Sequence, residues 1–289
     1  MAPYEPLTVR SYRSDSWVVT LTVATIVIAI SLIVLFALST PLSTGPQVLP
    51  VVAHPYYPVG VPDAHSPSFK SPPGSNALKG YVLRYVNDFN GGSLPHNWDV
   101  FTGVPGGDPG GQFASTHVTV SGGLLRLNTW RDPKFHNRWV TGGVCQCGLA
   151  YTYGAFFVRS RITGSGPNEV QLLWPQSNNW PPEIDFNETG ASSSSTSSTV
   201  HFGAVNHIDQ RSLSIDMTKW HTWGIVWTPT SMKFIVNGQV WGAINIPAES
   251  PNVPMTLDLE QRAMCQIGIQ CPSKPVSMLV DWVAEYTRK

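Results

Sequence analysis

The stretch PPEIDFNETG, residues 181–190, places three carboxylates within six residues of a chain in which only 12% of the residues are charged. These are Glu183, Asp185 and Glu188. Successive side chains of a β-strand point to opposite faces, so Glu183 and Asp185 share one face, and Glu188 joins them only if one extra residue is inserted. A β-bulge is such an insertion. The spacing therefore predicts a bulged strand with three acids on one face.

The inserted residue also sets the distance between the two glutamates. With a bulge near Phe186 or Asn187, Glu183 and Glu188 lie about four strand rises apart, or about 13 Å between their Cα atoms. Side chains that lean toward each other would bring the carboxyl groups to within about 5 to 6 Å, a separation that suits retaining rather than inverting glycoside hydrolysis. The motif therefore predicts a two-carboxylate hydrolase site.

A solvated strand face and a calcium-binding loop are the two alternatives for this acidic stretch, since acidic side chains are mostly exposed. Ile184 and Phe186 alternate with the acids as an apolar set, which favours a strand with a buried back. Calcium loops place their oxygen ligands on turns that contain glycine, and residues 183–188 contain none. We therefore interpret the stretch as the acidic front of a cleft.

From Tyr81 to the end of the chain, short apolar or alternating runs are separated by turns rich in Gly, Pro, Asn and Ser. Asn237-Gly238 lies between two such runs, and an Asn-Gly pair in that position is typical of a β-hairpin. Serial short strands without a long amphipathic helix indicate an all-β antiparallel sandwich.

The motif EIDFNE resembles the E-x-D-x-x-E signature of glycoside hydrolase family 16, in its bulged, laminarinase-like form. Four further segments resemble strands of that family and occur in the family's order. They are NDFNGGSLPHNW (87–98), YTYGAFFVRSRI (151–162), WHTWGIVWTPTSMKFIVNGQVW (220–241) and MLVDWVAEY (278–286). The resemblance covers residues 81–289.

The resemblance implies a β-jelly-roll sandwich with a concave substrate cleft, and a retaining mechanism that requires no cofactor. It implies that Glu183 is the nucleophile, Glu188 the general acid/base and Asp185 the residue that orients both. It also implies that Trp180 lines a substrate subsite and that His201 lies near the acid/base residue. A packed core position for Trp180 and a structural role for His201 are the alternatives.

Asp281, in the segment LVDWV, matches a family position that contributes to a structural calcium site in many members. In those members the site lies on the convex side and includes backbone carbonyls of the first strands. An aspartate that merely points outward from a strand is the alternative. The resemblance thus implies one metal site, for calcium, remote from the catalytic carboxylates.

Residues 17–38 are almost wholly apolar, and no Asp, Glu, Lys or Arg occurs between positions 16 and 62. As a helix they would extend about 33 Å, enough to cross a hydrocarbon core of about 30 Å. Arg10 and Arg13 precede this segment and no Lys or Arg follows until Lys70, which predicts a cytoplasmic N-terminus. A cleaved signal peptide is the alternative, although its apolar region is usually shorter.

Four regions follow from these observations. We expect a cytoplasmic tail (1–16), a transmembrane signal-anchor helix (17–38), a linker (39–79) and a glycoside hydrolase domain (80–289). The linker prediction rests on composition, because positions 40–79 hold nine of the 25 prolines and show no periodicity. The chain is then a single-pass cell-membrane protein with an extracellular domain, or a secreted protein if the apolar segment is cleaved.

Four cysteines, Cys145, Cys147, Cys265 and Cys271, lie in the predicted extracellular domain, where two disulfides are expected. Four cysteines permit three connectivities. A bridge between Cys145 and Cys147 would close a very small ring, so links between the 145/147 loop and the 265/271 loop are favoured. The spacing does not match a zinc knuckle.

The chain carries 18 basic and 18 acidic residues, so its charge gives no reason to expect nucleic acid binding. A neutral polysaccharide fits this balance, and the resemblance implies endo-acting cleavage of β-1,3- or β-1,3-1,4-glucan. We expect a monomer. Residues 168–174, NEVQLLW, lack two tryptophans that many laminarinase-like members carry before the catalytic strand. Reaction type is therefore predicted more firmly than substrate.

Two further functions stay open on the sequence. One is a transglycosylase that remodels cell-envelope glycan, in which a sugar replaces water as the acceptor. The other is a membrane-tethered carbohydrate-binding protein that has the fold without turnover. The three carboxylates favour an enzyme, because a binding protein has no need to keep them at catalytic spacing.

Overall fold

The short alternating runs form strands in the computed structural model, which describes residues 56–265 and 271–289. In chain order the strands are β1 (Val61–Pro62), β2 (Lys70–Ser71), β3 (Tyr81–Asn87), β4 (Asp99–Val100), β5 (Val118–Ser121), β6 (Leu124–Asp132), β7 (Arg138–Val140), β8 (Gly143–Cys145), β9 (Gly154–Ile162), β10 (Asn168–Pro175), β11 (Glu183–Glu188), β12 (Ser195–Phe202), β13 (His207–Ser214), β14 (His221–Thr228), β15 (Ser231–Val236), β16 (Gln239–Ile244), β17 (Met255–Arg262) and β18 (Val276–Arg288). Short 3₁₀ helices span Ser115–His117, Pro133–Phe135 and Pro247–Glu249.

Two antiparallel sheets make up the body of the fold. The seven-stranded sheet has the order β13-β12-β11-β10-β17-β8-β4. The nine-stranded sheet has the order β16-β15-β14-β9-β18-β6-β5, with β3 added on β18 and β7 on β6. The prediction of an all-β antiparallel sandwich of the jelly-roll type is confirmed.

The transmembrane helix predicted at 17–38 lies outside the described residues. Within the two described ranges, no helix is long and apolar enough to cross a membrane.

The main hydrophobic core lies between the two sheets. Trp223, Trp227, Phe156 and Phe234 of this core come from the nine-stranded sheet, and Phe186 comes from β11. All five are at most 1% exposed, and each such side chain contributes about 1.5 to 3 kcal/mol when it leaves water. The core thus fixes the back of the strand that carries the acidic motif.

The hairpin predicted at Asn237-Gly238 is confirmed. These two residues form the loop between β15 and β16, and both have positive φ, 48° and 83°, as a type I′ turn requires. The Asn237 side chain also accepts a hydrogen bond from the Thr222 N–H at 3.1 Å. The turn therefore ties β14 to the hairpin that follows it.

Residues 56–79, which the composition assigns to a linker, are instead part of the folded unit. We call this segment the strap. Leu78 and Tyr57 pack in a second apolar cluster with Phe157, Trp282 and Tyr286 of the nine-stranded sheet. Residues 56–79 are therefore packed on the nine-stranded sheet, whereas a linker would leave them apart from it. Low charge and many prolines did not indicate this packing, because the segment covers a sheet and has no periodic pattern of its own.

Polar contacts fix the strap as well. The Trp282 indole N–H donates to the Lys70 carbonyl at 2.9 Å, and the Tyr286 hydroxyl donates to the Gly74 carbonyl at 3.1 Å. Because both acceptors in the strap are backbone carbonyls, the two aromatic side chains fix the position of the strap backbone. The strap thus covers the outer face of the nine-stranded sheet.

Asp281, the predicted calcium ligand, lies under the strap. One of its carboxylate oxygens accepts hydrogen bonds from the Ser66 hydroxyl at 2.6 Å and the Ser68 N–H at 3.1 Å. The Arg159 guanidinium donates to the Ser68 carbonyl at 3.0 Å. Burial raises the pKa of Asp281, and the charge of Arg159 opposes this rise. An arginine therefore brings positive charge to this position, and calcium binding at Asp281 stays a prediction.

The two disulfides are local. Cys145 bonds to Cys147 and Cys265 bonds to Cys271, with Cα atoms 5.0 and 4.9 Å apart. The expected links between the two loops are therefore wrong. After β8 ends at Cys145 the chain turns, which brings residues two apart to a Cα separation that disulfides commonly span.

Glycine substitutions test the packing of the strap. Gly60 has a φ of +84°, and an added Cβ would lie 2.7 Å from the Ser71 carbonyl oxygen and 2.9 Å from the Trp282 ring. Gly60→Ala should therefore combine a left-handed backbone cost of about 1 to 2 kcal/mol with an overpacking cost of about 1 to 3 kcal/mol. The free energy of unfolding from urea titration measures the sum.

Gly80→Ala is the matched control. Gly80 has a φ of +82°, but an added Cβ there has nothing within 4 Å. It should show the backbone cost alone. Equal destabilisation by the two variants would contradict the contact between strap and sheet.

A non-reducing tryptic map tests the disulfide pairing. Cys145 and Cys147 lie in the peptide 139–159, and Cys265 and Cys271 lie in the peptide 263–288, because Lys274 precedes a proline. Local bridges leave these peptides separate, each lighter by two hydrogens than its reduced form. A linked pair of the two peptides would refute the local pairing.

Candidate active site

The bulge predicted in the acidic stretch is confirmed in β11. On the β10 side, Leu172 pairs with Asp185 and Gln171 with Asn187, so the register skips Phe186. On the β12 side the same shift falls between Asp185 and Glu188. The shift returns Glu188 to the face that carries Glu183 and Asp185. This open face of the seven-stranded sheet points away from the core.

Polar groups beneath the bulge support its backbone. The Asn187 side chain is fully buried; its oxygen accepts from the Thr196 hydroxyl at 2.7 Å, and its amide donates to Glu169 at 3.4 Å. The Glu169 N–H in turn donates to the Thr189 hydroxyl at 2.8 Å. Burial raises the pKa of Glu169 to about 7. These contacts fix Asn187 and Thr189, the two residues on either side of Glu188.

Glu183 has an aromatic neighbour at the start of β11. The Trp180 indole N–H donates to Glu183 Oε2 at 2.7 Å, and the Trp180 ring is 44% exposed. Its centroid lies 5.7 Å from the centroid of the His201 ring. Trp180 is therefore not a core residue, and its exposed ring lies directly beside the predicted nucleophile.

Asp185 and His201 form a pair in the middle of the site. Asp185 is 3% exposed, and its carboxylate lies 3.5 Å from His201 Nε2. Burial and the neighbouring charge of Glu183 raise the pKa of Asp185, and the contact with Asp185 raises the pKa of His201 to about 9. At neutral pH this pair therefore retains a proton. The other ring nitrogen of His201 donates to Asn206 at 2.9 Å.

Glu188 is held from the opposite side. Its Oε1 accepts from the Asn168 amide at 2.9 Å and from Arg262 Nη2 at 3.2 Å. Asn168 and Arg262 lie on β10 and β17. Neither is a predicted site residue, because their contacts with Glu188 depend on strand order, which no short motif encodes.

A second acidic row on β17 runs beside the motif. Leu172 of β10 pairs with both Asp185 and Asp258, so these two aspartates are level with each other across the sheet. Val170 likewise pairs with both Glu188 and Glu260. Burial raises the pKa of Glu260 to about 7 and that of Asp258 well above its usual range. The alternation of acidic and apolar residues in MTLDLEQR, residues 255–262, could have predicted this row from the sequence.

Among the described residues, Glu183, Asp185 and His201 are grouped closely enough to hold a metal ion, with their ligand atoms within 4.8 Å of one another. The same group contains the shared proton of Asp185 and His201. The arrangement of an acid, a buried proton-retaining pair and a second acid is suited to proton transfer and nucleophilic attack.

An antiparallel sandwich with this carboxylate arrangement on its open face fits a glycoside hydrolase. The family model of glycosyl hydrolases family 16 matches residues 112–261, just over half of the chain. The chain belongs to this family. The resemblance first carried by EIDFNE is thus confirmed, and the protein is a glycosidase whose chemistry needs no cofactor.

Individual relatives agree with the family. A glucan endo-1,3-β-glucosidase of Cryptopygus antarcticus is 27% identical over 185 residues, which cover 56% of this chain and 68% of the relative. The endo-β-1,3-glucanase of Pyrococcus furiosus superposes with a TM-score of 0.61 at 17% identity, over 72% of this chain and 95% of its own. The laminarinase of Rhodothermus marinus gives a TM-score of 0.63 at 20% identity, over 72% and 98%.

Proposed function

We propose that the chain is a retaining, endo-acting hydrolase of β-linked glucan in which Glu183 is the nucleophile and Glu188 the general acid/base. The observation that carries this proposal is the register shift in β11, which brings both glutamates to the open face. A retaining enzyme requires two carboxyl groups about 5 to 5.5 Å apart on either side of the scissile bond. A bulged strand is one way to bring two residues five positions apart to that separation.

In the first step Glu188 donates its proton to the glycosidic oxygen as the bond from that oxygen to the anomeric carbon breaks. The Glu183 carboxylate attacks the same carbon and forms a covalent glycosyl-enzyme. In the second step the Glu188 carboxylate takes a proton from water, the water oxygen bonds to the anomeric carbon, and Glu183 leaves. The overall reaction consumes one water and returns both carboxyl groups to their initial states.

The neighbours of Glu183 suit its part in this scheme. The Trp180 N–H occupies Oε2, so Oε1 is the oxygen available for attack. The proton retained by Asp185 and His201 reduces the number of negative charges next to Glu183. Fewer like charges lower the electrostatic repulsion within this partly buried site.

The substrate proposal follows the relatives. The curated relative is a glucan endo-1,3-β-glucosidase, and laminarinases share the fold, so β-1,3-glucan and mixed β-1,3-1,4-glucan are the first substrates to test. Trp174, on the open face of β10, is the one tryptophan within residues 168–174. Transfer to a sugar acceptor, as in envelope remodelling, uses the same covalent intermediate and is the second candidate.

The location of the enzyme is also a proposal. The apolar segment at 17–38 and the arginines before it support a single-pass anchor with the hydrolase domain outside the cell. Two local disulfides fit an oxidising compartment. We expect the protein to act as a monomer on polysaccharide near the membrane surface.

Glutamine substitutions test the assigned roles. Glu188→Gln should lower kcat on laminarin or mixed-linkage glucan by about 100- to 10,000-fold, because general acid–base catalysis is lost. Glu183→Gln should abolish turnover, because no carboxylate remains at this position to form the covalent glycosyl-enzyme. Reducing ends released from a panel of β-glucans measure the rate. Glu249→Gln, which changes a carboxylate in the 3₁₀ helix Pro247–Glu249, is the control and should retain wild-type activity.

Near-wild-type rates for either site variant would refute the assignment. Glucan binding by the wild-type domain without product would instead favour the non-catalytic alternative. If the first product seen by NMR has the inverted anomeric configuration, hydrolysis occurs but the retaining mechanism is wrong.

A further inference from the structure

Arg262 lies at the end of β17, beside the proposed acid/base residue. Its Nη2 contacts Glu188 Oε1 at 3.2 Å, its Nη1 donates to the Gly106 carbonyl at 3.3 Å, and its Nε lies 3.2 Å from Glu260 Oε1. The side chain is 15% exposed. Three separate contacts and low exposure give this guanidinium a defined position.

An isolated guanidinium would be harmful next to a general acid. An opposite charge within about 4 to 6 Å favours the ionised carboxylate, whereas a general acid must carry its proton when the substrate binds. Glu260 contacts Nε of Arg262 and lies level with Glu188 across the sheet. Its negative charge offsets that of Arg262, so the guanidinium can orient Glu188 with less unbalanced positive charge beside it.

The contacts also distinguish the two oxygens of Glu188. Oε1 accepts hydrogen bonds from both Asn168 and Arg262. An oxygen that accepts two such bonds is poorly placed to carry a hydrogen of its own, since a protonated carboxyl oxygen is itself a donor. The proton is therefore directed to Oε2.

We propose that Arg262 and Glu260 act together as positioning residues for Glu188, with Arg262 fixing Oε1 so that the catalytic proton resides on Oε2, and Glu260 balancing the charge of Arg262. This inference rests on the proposed function, because it requires Glu188 to be the acid/base. It adds two residues of β17 that the acidic motif does not contain.

Further charged groups lie around Glu188. Glu183 and Asp185 lie on the same strand, β11, and Asp108, in the loop that carries Gly106, contributes to the charge around Glu260. The facing residues on β10 and β12, Val170 and Ser197, are uncharged. Only Arg262 brings a positive charge into contact with Glu188 among the described residues.

Opposite shifts of the pH–rate profile test the pair. Arg262→Ala removes the charge that favours the ionised acid, so the basic limb of the kcat/KM profile should move to higher pH by about 1 unit. Glu260→Gln leaves the Arg262 charge unbalanced, so the basic limb should move to lower pH. Its shift should be smaller, because burial raises the pKa of Glu260 to about 7 and its charge is only partly present at neutral pH.

A second readout concerns the leaving group. If Oε1 is no longer fixed, proton donation is impaired, and the loss in kcat for Arg262→Ala should be large with laminarin but small with an aryl β-glucan oligosaccharide whose leaving group needs no proton. Arg262→Lys keeps the charge but loses the planar fork. It should keep the wild-type basic limb while recovering only part of kcat.

Arg211→Ala is the matched control, because Arg211 forms an ion pair with Asp209 on β13, away from Glu188. It should leave the pH profile and the leaving-group dependence unchanged. Shifts of the basic limb in the same direction for Arg262→Ala and Glu260→Gln, or no shift for either, would overturn the inference.

The two proposals fail in distinguishable ways. An active Glu188→Gln variant would overturn the proposed function and this inference with it. An inactive Glu188→Gln variant, together with unshifted profiles for the β17 variants, would overturn the inference alone.

Discussion

The two-residue period of a β-strand is the constraint on which this active site depends. Without an inserted residue, Glu188 would point between the sheets, where an ionised carboxylate without a partner would cost several kcal/mol. The bulge at Phe186 instead places Asn187 on the buried side, where Thr196 and Glu169 satisfy its amide. A neutral, hydrogen-bonded side chain thus occupies the interior, and the acid is returned to the open face.

The same shift explains which features the sequence could predict. The bulge, the Asn237-Gly238 hairpin and the sandwich architecture all follow from patterns a few residues long, because side-chain alternation and turn conformation are local properties. The acidic motif was predictable for this reason. Trp180 and His201 needed the family resemblance, since their closeness to Glu183 and Asp185 depends on a loop and on a neighbouring strand.

The features that sequence reasoning missed are contacts between distant parts of the chain. Ser66 bonds to Asp281 across 215 positions, and Arg262 contacts Glu188 across 74. Strand order decides such contacts, and composition alone assigned the strap to a linker. The disulfides failed for a different reason. A bridge that closes so small a ring was expected to be disfavoured, whereas the turn after β8 brings the Cα atoms of Cys145 and Cys147 to 5.0 Å.

The central claim is that Glu183 and Glu188 act on one sugar from one face of β11, with Glu183 as the nucleophile. Trapping of the covalent intermediate tests it most directly. A fluorinated β-glucosyl oligosaccharide with a good leaving group should inactivate the enzyme, and peptide mass spectrometry should find one sugar on Glu183. Labelling at Glu188 or at another carboxylate, or full turnover without any adduct, would contradict the assignment.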